Sequence, residues 1–401
     1  MALYDHRCHR MRYTEMWSLA FGESPAVLQY NRGPELVVAA TRILLSTAST
    51  HFYDDNLCVD PAFAFGSGQQ CYVKLCALLG KHLDIDKHVG MSPKFVFTGC
   101  ELDLHNLFDL GHMWLRPKPG RVERIISFIH DLRLKASCSP AEAAVLRGKA
   151  GFVGSQLRGR ALRFADGFLI ERQYTRTHVR GLSNELLRAF HFLELAFAHL
   201  PGKSVSVENR EPISILYSDA AFTPGKAVTY GWVLVTPGKP SRSGSGVVPQ
   251  SVSKQFRARK TQILVGELLG ALSGVFSCSE DLRDGRLIHF VDNQPALASL
   301  IGGKGADADV AAIACVYQLL LTALGVSAWL EFVESDSNLA DGPSRLLADW
   351  LKTPEAGMLQ CTHEAARLPD LSDLIGAPVH ELETLGATQR LLAQHVNTSP
   401  A

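Results

Sequence analysis

The chain has 401 residues, 46% hydrophobic and 20% charged, with Lys+Arg and Asp+Glu equal at 40 each. This composition excludes a disordered or low-complexity protein and gives length for two or three domains with real cores. Nine scattered cysteines without a CxxC pair, no run of about 18 apolar residues and no signal-peptide order lead us to expect a soluble intracellular protein, cytoplasmic or nuclear, with no membrane partner.

Charge is unevenly spread. Between Arg116 and Lys203 there are 16 Lys/Arg against 7 Asp/Glu, a basic middle of the kind that tracks nucleic acid. Residues 1–110 mix short apolar runs such as "KFVFTGCELDL" with helical text such as "PELVVAATRILL", as an α+β domain would. Within them "HFYDDNLCVD" sets Asp54 beside Asp55. Like charges this close repel, so the pair needs either an exposed turn or a cation between them. Residues 111–210 read as helical and basic. There "SCSPAEAAV" predicts a helix capped by Ser139, with Pro140 in its first turn and Glu142 three residues after the cap. The segment "AHLPGKSVSVENREP" reads as the linker out of this region.

Residues 211–351 have a mixed α/β order. "ISILYSD" and "VTYGWVLV" predict two strands, "GSGVVPQSVS" a third, and a helix, "LIHFVD", two helical stretches, "AWLEFVE" and a short helix follow. The expectation is a five-stranded mixed sheet flanked by helices. Residues 352–401 read as a polar, mostly helical tail. Four acids hold special places: Asp219 and Asp292 close strands, Asp341 starts the final helix, and Glu267 is mid-helix in "TQILVGELLGALSGVF". Glu267 follows Leu264 by three and precedes Ala271 by four, on a face with Leu268, Leu272 and Val275, so it points toward the sheet. A carboxylate on an apolar face needs a cation or donor. Two Mg²⁺ ions roughly 4 Å apart would neutralise the cluster and serve an in-line phosphoryl displacement, with Mn²⁺ an alternative.

"LYSDAA", "YGWVLV", "GEL", "FVDNQPAL" and "ESDSNLADGPSR", in that order, resemble the ribonuclease H domain of retroelement reverse transcriptases, including gypsy-like and DIRS-type elements. The resemblance implies that Asp219, Glu267, Asp292 and Asp341 bind the catalytic metals, and that the RNA strand of an RNA–DNA hybrid is hydrolysed. The loop before Asp341, "WLEFVESDSNLAD", lacks the histidine of cellular ribonucleases H. Integrases and transposases share the fold with a D-D-E set, for which Glu331 or Glu334 would have to serve.

In the first half, "HFYDDNLCVD" is then similar to the polymerase hairpin of reverse transcriptases. "LAFGESPAVLQYNR" looks like their template-contacting segment, with Phe21, Gly22, Pro25 and Arg32 in place, and "KFVFTGCELDL" resembles the hairpin that holds the primer end. The resemblance implies a partial palm at 1–110 with Asp54 and Asp55 as metal ligands. It also implies a helical thumb and connection at 111–210 and a ribonuclease H-like domain at 211–351. Arg32, Arg158, Arg160, Arg163 and Asn338 would contact nucleic acid, with DNA, RNA and their hybrid as partners. Only Asp5 precedes Phe21, so the third polymerase ligand, the fingers and the first half of the palm are expected to be missing and polymerisation lost. A binding-only remnant, and a full polymerase completed upstream, stay open as alternatives. The sequence leaves the oligomeric state open.

Overall fold

The computed structural model describes all residues except 1, 6–7, 14–23, 158, 176–180, 201, 208–211, 348 and 397–401. The chain divides into two compact units, Met1–His105 and Asn106–Ala401, each a mixture of helix and strand. Among the described residues no helix is long and apolar enough to cross a membrane.

The first unit opens with an antiparallel pair, β1 (Ala2–Asp5) and β2 (Arg10–Tyr13). Helix α1 (Ser24–Leu45) follows and runs through Pro34, where the sequence suggested a helix start. Strands β3 (Ala48–Phe52) and β4 (Asp55–Val59) form a hairpin whose last pair is Phe52 with Asp55, so Tyr53 and Asp54 make the turn. Tyr53 is left-handed there (φ 54°), as a two-residue hairpin turn demands. Helix α2 (Ser67–Leu78) supplies Tyr72 and Cys76 to a small core around Val37. A second hairpin joins β5 (Lys94–Phe97) to β6 (Cys100–Asp103) through Thr98 and Gly99, both at positive φ. Phe21 and Gly22 of the expected template contact lie outside the described residues.

The second unit begins with α3 (Leu107–Leu110) and β7 (His112–Pro117), then four packed helices: α4 (Arg121–Leu134), α5 (Pro140–Leu157), α6 (Arg163–Tyr174) and α7 (Asn184–His199). Ile125, Ile129, Leu132, Leu146, Leu169, Phe190 and Leu193 are buried among them. The start of α5 carries the expected capping box: the Ser139 N–H donates to Glu142 Oε2 (2.8 Å) and the Glu142 N–H to Ser139 Oγ (3.3 Å). The stretch expected to be a plain linker supplies strand β8 (Lys203–Ser206), antiparallel to β7. Four residues of K-S-V-S carry too little pattern to announce a strand; the pairing partner makes it one.

The remainder of the unit holds a six-stranded sheet in the order β13-β12-β9-β10-β11-β14. Its strands are β9 (Ile213–Ala221), β10 (Thr229–Val235), β11 (Arg242–Val247), β12 (Arg286–Val291), β13 (Ser327–Phe332) and β14 (Thr362–Ala365). β9, β10 and β11 run antiparallel, while β12 is parallel to both β9 and β13. The helices between them are α8 (Gln250–Ser253), α9 (Ile263–Ser277), α10 (Ser279–Leu282), α11 (Gln294–Gly302) and α12 (Ala308–Ala323). After β13 come α13 (Asp341–Ser344), α14 (Pro354–Met358) and, beyond β14, α15 (Ala377–Val396).

Three sequence expectations are corrected here. The third strand ends at Val247, and Gln250–Ser253 is helical because Pro249, with no N–H to give a ladder, starts the helix instead. The sheet has six strands, not five. The sixth, β14, comes from the segment expected to be helical tail and pairs parallel with β11. All four of its residues are exposed, so no apolar alternation marked it. Polar bonds place it: His363 bridges Ser243 Oγ (2.9 Å) and Ser245 Oγ (3.0 Å). Beyond it Leu371, Leu374 and Ala377 join the main core, so the tail is built into the unit.

Helix α9 lies unusually close to the sheet because Gly266, Gly270 and Gly274 fall four apart along one side. A Cβ on Gly266 would meet Val228 at 2.6 Å, on Gly270 the Asp219 carbonyl oxygen at 2.8 Å, and on Gly274 Leu216 at 3.1 Å. Gly270→Ala should therefore destabilise the protein by about 1–3 kcal/mol, against the usual gain for this substitution in a helix. Denaturant melts check this, and an unchanged or higher midpoint would refute the close approach.

Candidate metal centre

The strand register brings two acids level. Ser218 of β9 pairs with Val291 of β12, so the next residues, Asp219 and Asp292, stand side by side. Asp292 lies just past the end of β12 and Asp219 still inside β9, which runs on to Ala221 rather than closing at Asp219 as the sequence suggested. Helix α9, drawn in by its glycines, adds Glu267. Asp219, Glu267 and Asp292 each present a carboxylate oxygen, all within 4.8 Å of one another. Asp219 and Glu267 are buried, at 6% and 3% exposure. This is the direction the helical spacing gave for Glu267.

Burial sets the electrostatics. Glu267 is pushed up to about 10, first by desolvation and then by the charges of Asp219 and Asp292. Asp219 is pushed up to about 6, mainly by desolvation; the hydrogen bond from Ser344 works in the opposite direction, and Asp292 and Asp341 add to the rise. Glu267 Oε2 and Asp292 Oδ1 are buried with no hydrogen-bond partner. Two orphaned carboxylate oxygens in a cluster of three acids are the arrangement a hard divalent cation satisfies, since it takes oxygen ligands and supplies the missing charge. The donor set fits Mg²⁺ or Mn²⁺ and offers no sulfur or imidazole to a softer metal.

Asp341 stands outside that group. It opens α13, is partly exposed, and is paired with Arg345 at 2.8 Å. Its charge is nevertheless felt at Asp219. Glu331 and Glu334, which a D-D-E reading would need, are exposed and are not in the group either; Glu331 accepts from Trp329 Nε1 at 3.1 Å.

Asp54, in the hairpin turn of the first unit, and Asp55, the first residue of β4, are exposed, and among the described residues no third ligand is grouped with them. Arg32 is exposed on α1 and Arg160 just before α6, while Arg163 is half-buried, 3.8 Å from Asp166; Arg158 lies outside the described residues. Asn338, expected to contact nucleic acid, is corrected by the structure. It is 5% exposed, and its amide is used internally: Nδ2 donates to the Ser218 carbonyl (3.0 Å) and Oδ1 accepts from the Ala340 N–H (3.1 Å). It ties the loop before Asp341 to the strand that carries Asp219.

Sequence reasoning missed the supports. Ser344 Oγ donates to Asp219 Oδ2. Its helix reaches the sheet because β10 has Gly231 opposite Asp219, where a Cβ would lie 2.4 Å from the Ser344 nitrogen. The glycines every fourth residue in "GELLGALSG" were a readable signal for close helix packing; nothing in the text marked Ser344.

No protein-family model matches the chain. No curated protein matches it. Among solved structures it is similar to RNase H1 from the halophilic archaeon Halobacterium salinarum NRC-1, at 20% identity over 35% of this chain and 98% of that one, with a TM-score of 0.28. It is also similar to the N-terminal RNase H domain of rv2228c from Mycobacterium tuberculosis, at 16% identity over 34% and 94%, TM-score 0.28. A third is the foamy viral protease-reverse transcriptase in complex with RNA/DNA hybrid, at 11% identity over 78% of this chain and 38% of that chain, TM-score 0.36.

Without a divalent cation, Glu267 and Asp219 hold protons more tightly in the folded chain than in the unfolded one. The folded state then binds more protons from about pH 4 upward, so stability falls as pH rises through the raised values. Glu267→Gln should therefore melt higher than wild type in chelator at about pH 8, with the gap narrowing at about pH 5 and Mn²⁺ no longer raising its midpoint. A variant that melts lower than wild type at about pH 8 would contradict the uncompensated burial of Glu267.

Proposed function

We propose that this chain is a retroelement-derived fragment whose second unit is a ribonuclease H-type endonuclease, hydrolysing the RNA strand of RNA–DNA hybrids with Mg²⁺. The observation that carries the reading is the trio Asp219, Glu267 and Asp292, the first two buried and the third partly so, with two carboxylate oxygens unpartnered. Such desolvated, mutually repelling acids are kept where a site needs them. The order of the motifs from "LYSDAA" to "NLADGPSR" supports the choice of chemistry.

When bound, divalent cations supply the charge that offsets the carboxylates and the Lewis acidity for in-line displacement at phosphorus. The chain's own groups do the rest. Asp219, Glu267 and Asp292 hold the cations, and Ser344 fixes one oxygen of Asp219. Asp341 completes the site as it turns from Arg345, leaving that guanidinium to meet a phosphate of the substrate. Water forms the new bond to phosphorus and the bond to O3′ breaks. The RNA is left with a 3′-hydroxyl, and the other fragment with a 5′-phosphate. The hybrid is gripped through its backbone and 2′-hydroxyls, with the basic helices α4 to α7 as the path beyond the site. Asp54 and Asp55, with no third ligand grouped with them among the described residues, carry no polymerisation in this reading.

A labelled RNA–DNA hybrid incubated with the purified chain in Mg²⁺ tests this. Cleavage of the RNA strand should fall by at least about a hundredfold in Asp292→Asn and need the cation throughout. Hybrid binding that weakens with salt but yields no cleavage in wild type would replace the enzyme by a nucleic-acid-binding remnant.

A further inference from the structure

Beneath the carboxylates runs a fully buried polar chain that the reaction does not use. His289 of β12 places Nε2 2.9 Å from Ser218 Oγ on β9 and Nδ1 2.7 Å from the Tyr317 hydroxyl on α12. All three residues are at 0% exposure. Burial lowers the imidazole to about 3, so it is neutral, with one ring nitrogen donating and the other accepting. Ser218 is held twice, since its carbonyl also accepts from Asn338. It is the residue immediately before Asp219.

We infer that the Ser218–His289–Tyr317 chain is a register key that positions Asp219 against Asp292 and Glu267. The inference rests on the metal-centre reading above. Apolar patterning alone cannot fix this register. Along β12, Leu287, His289 and Val291 are buried and alternate with half-buried residues; along β9, Ser214, Leu216, Ser218 and Ala220 are the buried set on one face. A slip of one residue would turn the wrong face inward, but a slip of two leaves the burial pattern intact. That slip moves one strand by about 6.6 Å and would part Asp219 from Asp292. In one direction it would carry His289, now level with Leu216, to the level of Ser214 and break its bond to Ser218, leaving buried polar groups unpaired, which is a heavy penalty in a dry interior. The hydrogen-bonded chain thus opposes that slip and favours the register in which the acids meet, and Tyr317 ties His289 of β12 to α12. His289, Ser218 and Tyr317 touch none of the reacting atoms; they are positioning residues.

The test compares Mn²⁺ affinity, by calorimetric titration, with the thermal midpoint in chelator for His289→Leu, His289→Gln and Tyr317→Phe. His289→Leu should weaken Mn²⁺ binding by about tenfold or more while still folding. His289→Gln, whose amide nitrogen falls near Nε2 and can still bond Ser218, should recover most of that affinity. Tyr317→Phe keeps the packing, loosens only the outer link, and should weaken binding less than His289→Leu; it carries the test if the leucine variant does not fold. A lower melting midpoint with Mn²⁺ affinity equal to wild type in His289→Leu and Tyr317→Phe would reduce the chain to ordinary packing and overturn the inference alone. A wild-type chain that binds no Mn²⁺ would overturn the metal centre, and the register key with it.

Discussion

Three carboxylates held within 4.8 Å of one another in a largely desolvated pocket are the constraint around which the second unit is organised. Left alone they would drive α9 off the sheet. The glycines of α9 bring the helix so close to β9 that Glu267 is left only 3% exposed. Gly231 admits α13, whose Ser344 holds Asp219, and Asn338 pins the intervening loop. Each support acts on the position of an acid and none supplies an opposing charge to the trio. The arrangement is coherent when a cation belongs to it.

Distance and dielectric separate this trio from the adjacent aspartates of the first unit. Two unit charges 4 Å apart repel by about 1 kcal/mol in water and by about 4 kcal/mol at an effective dielectric of about 20. Asp54 and Asp55, exposed at the tip of a hairpin, sit near the first limit, and water alone accommodates them. Asp219, Glu267 and Asp292 sit nearer the second. Adjacent aspartates in a sequence therefore say less than one glutamate on an apolar helix face.

What was legible in the sequence was what periodicity and end signals encode. The inward face of Glu267 followed from its spacing to Leu264 and Ala271, and the start of α5 from Ser139, Pro140 and Glu142. What was not legible depends on partners distant in the chain. β8 and β14 are four-residue strands that exist because β7 and β11 offer unpaired edges. Asn338 stands in a polar, turn-rich motif and reads as a surface residue, yet a backbone carbonyl 120 residues away decides its role. His289 in "LIHFVD" gave no hint of Tyr317, because the contact is made by packing α12 on the strands.

The most direct test of the account is an anomalous diffraction experiment on crystals of the chain soaked in Mn²⁺. The account predicts a peak bonded to both Glu267 Oε2 and Asp292 Oδ1, the two buried oxygens that lack a partner. A pocket with no peak, in which Glu267 is protonated and hydrogen-bonded to an aspartate instead, would contradict it.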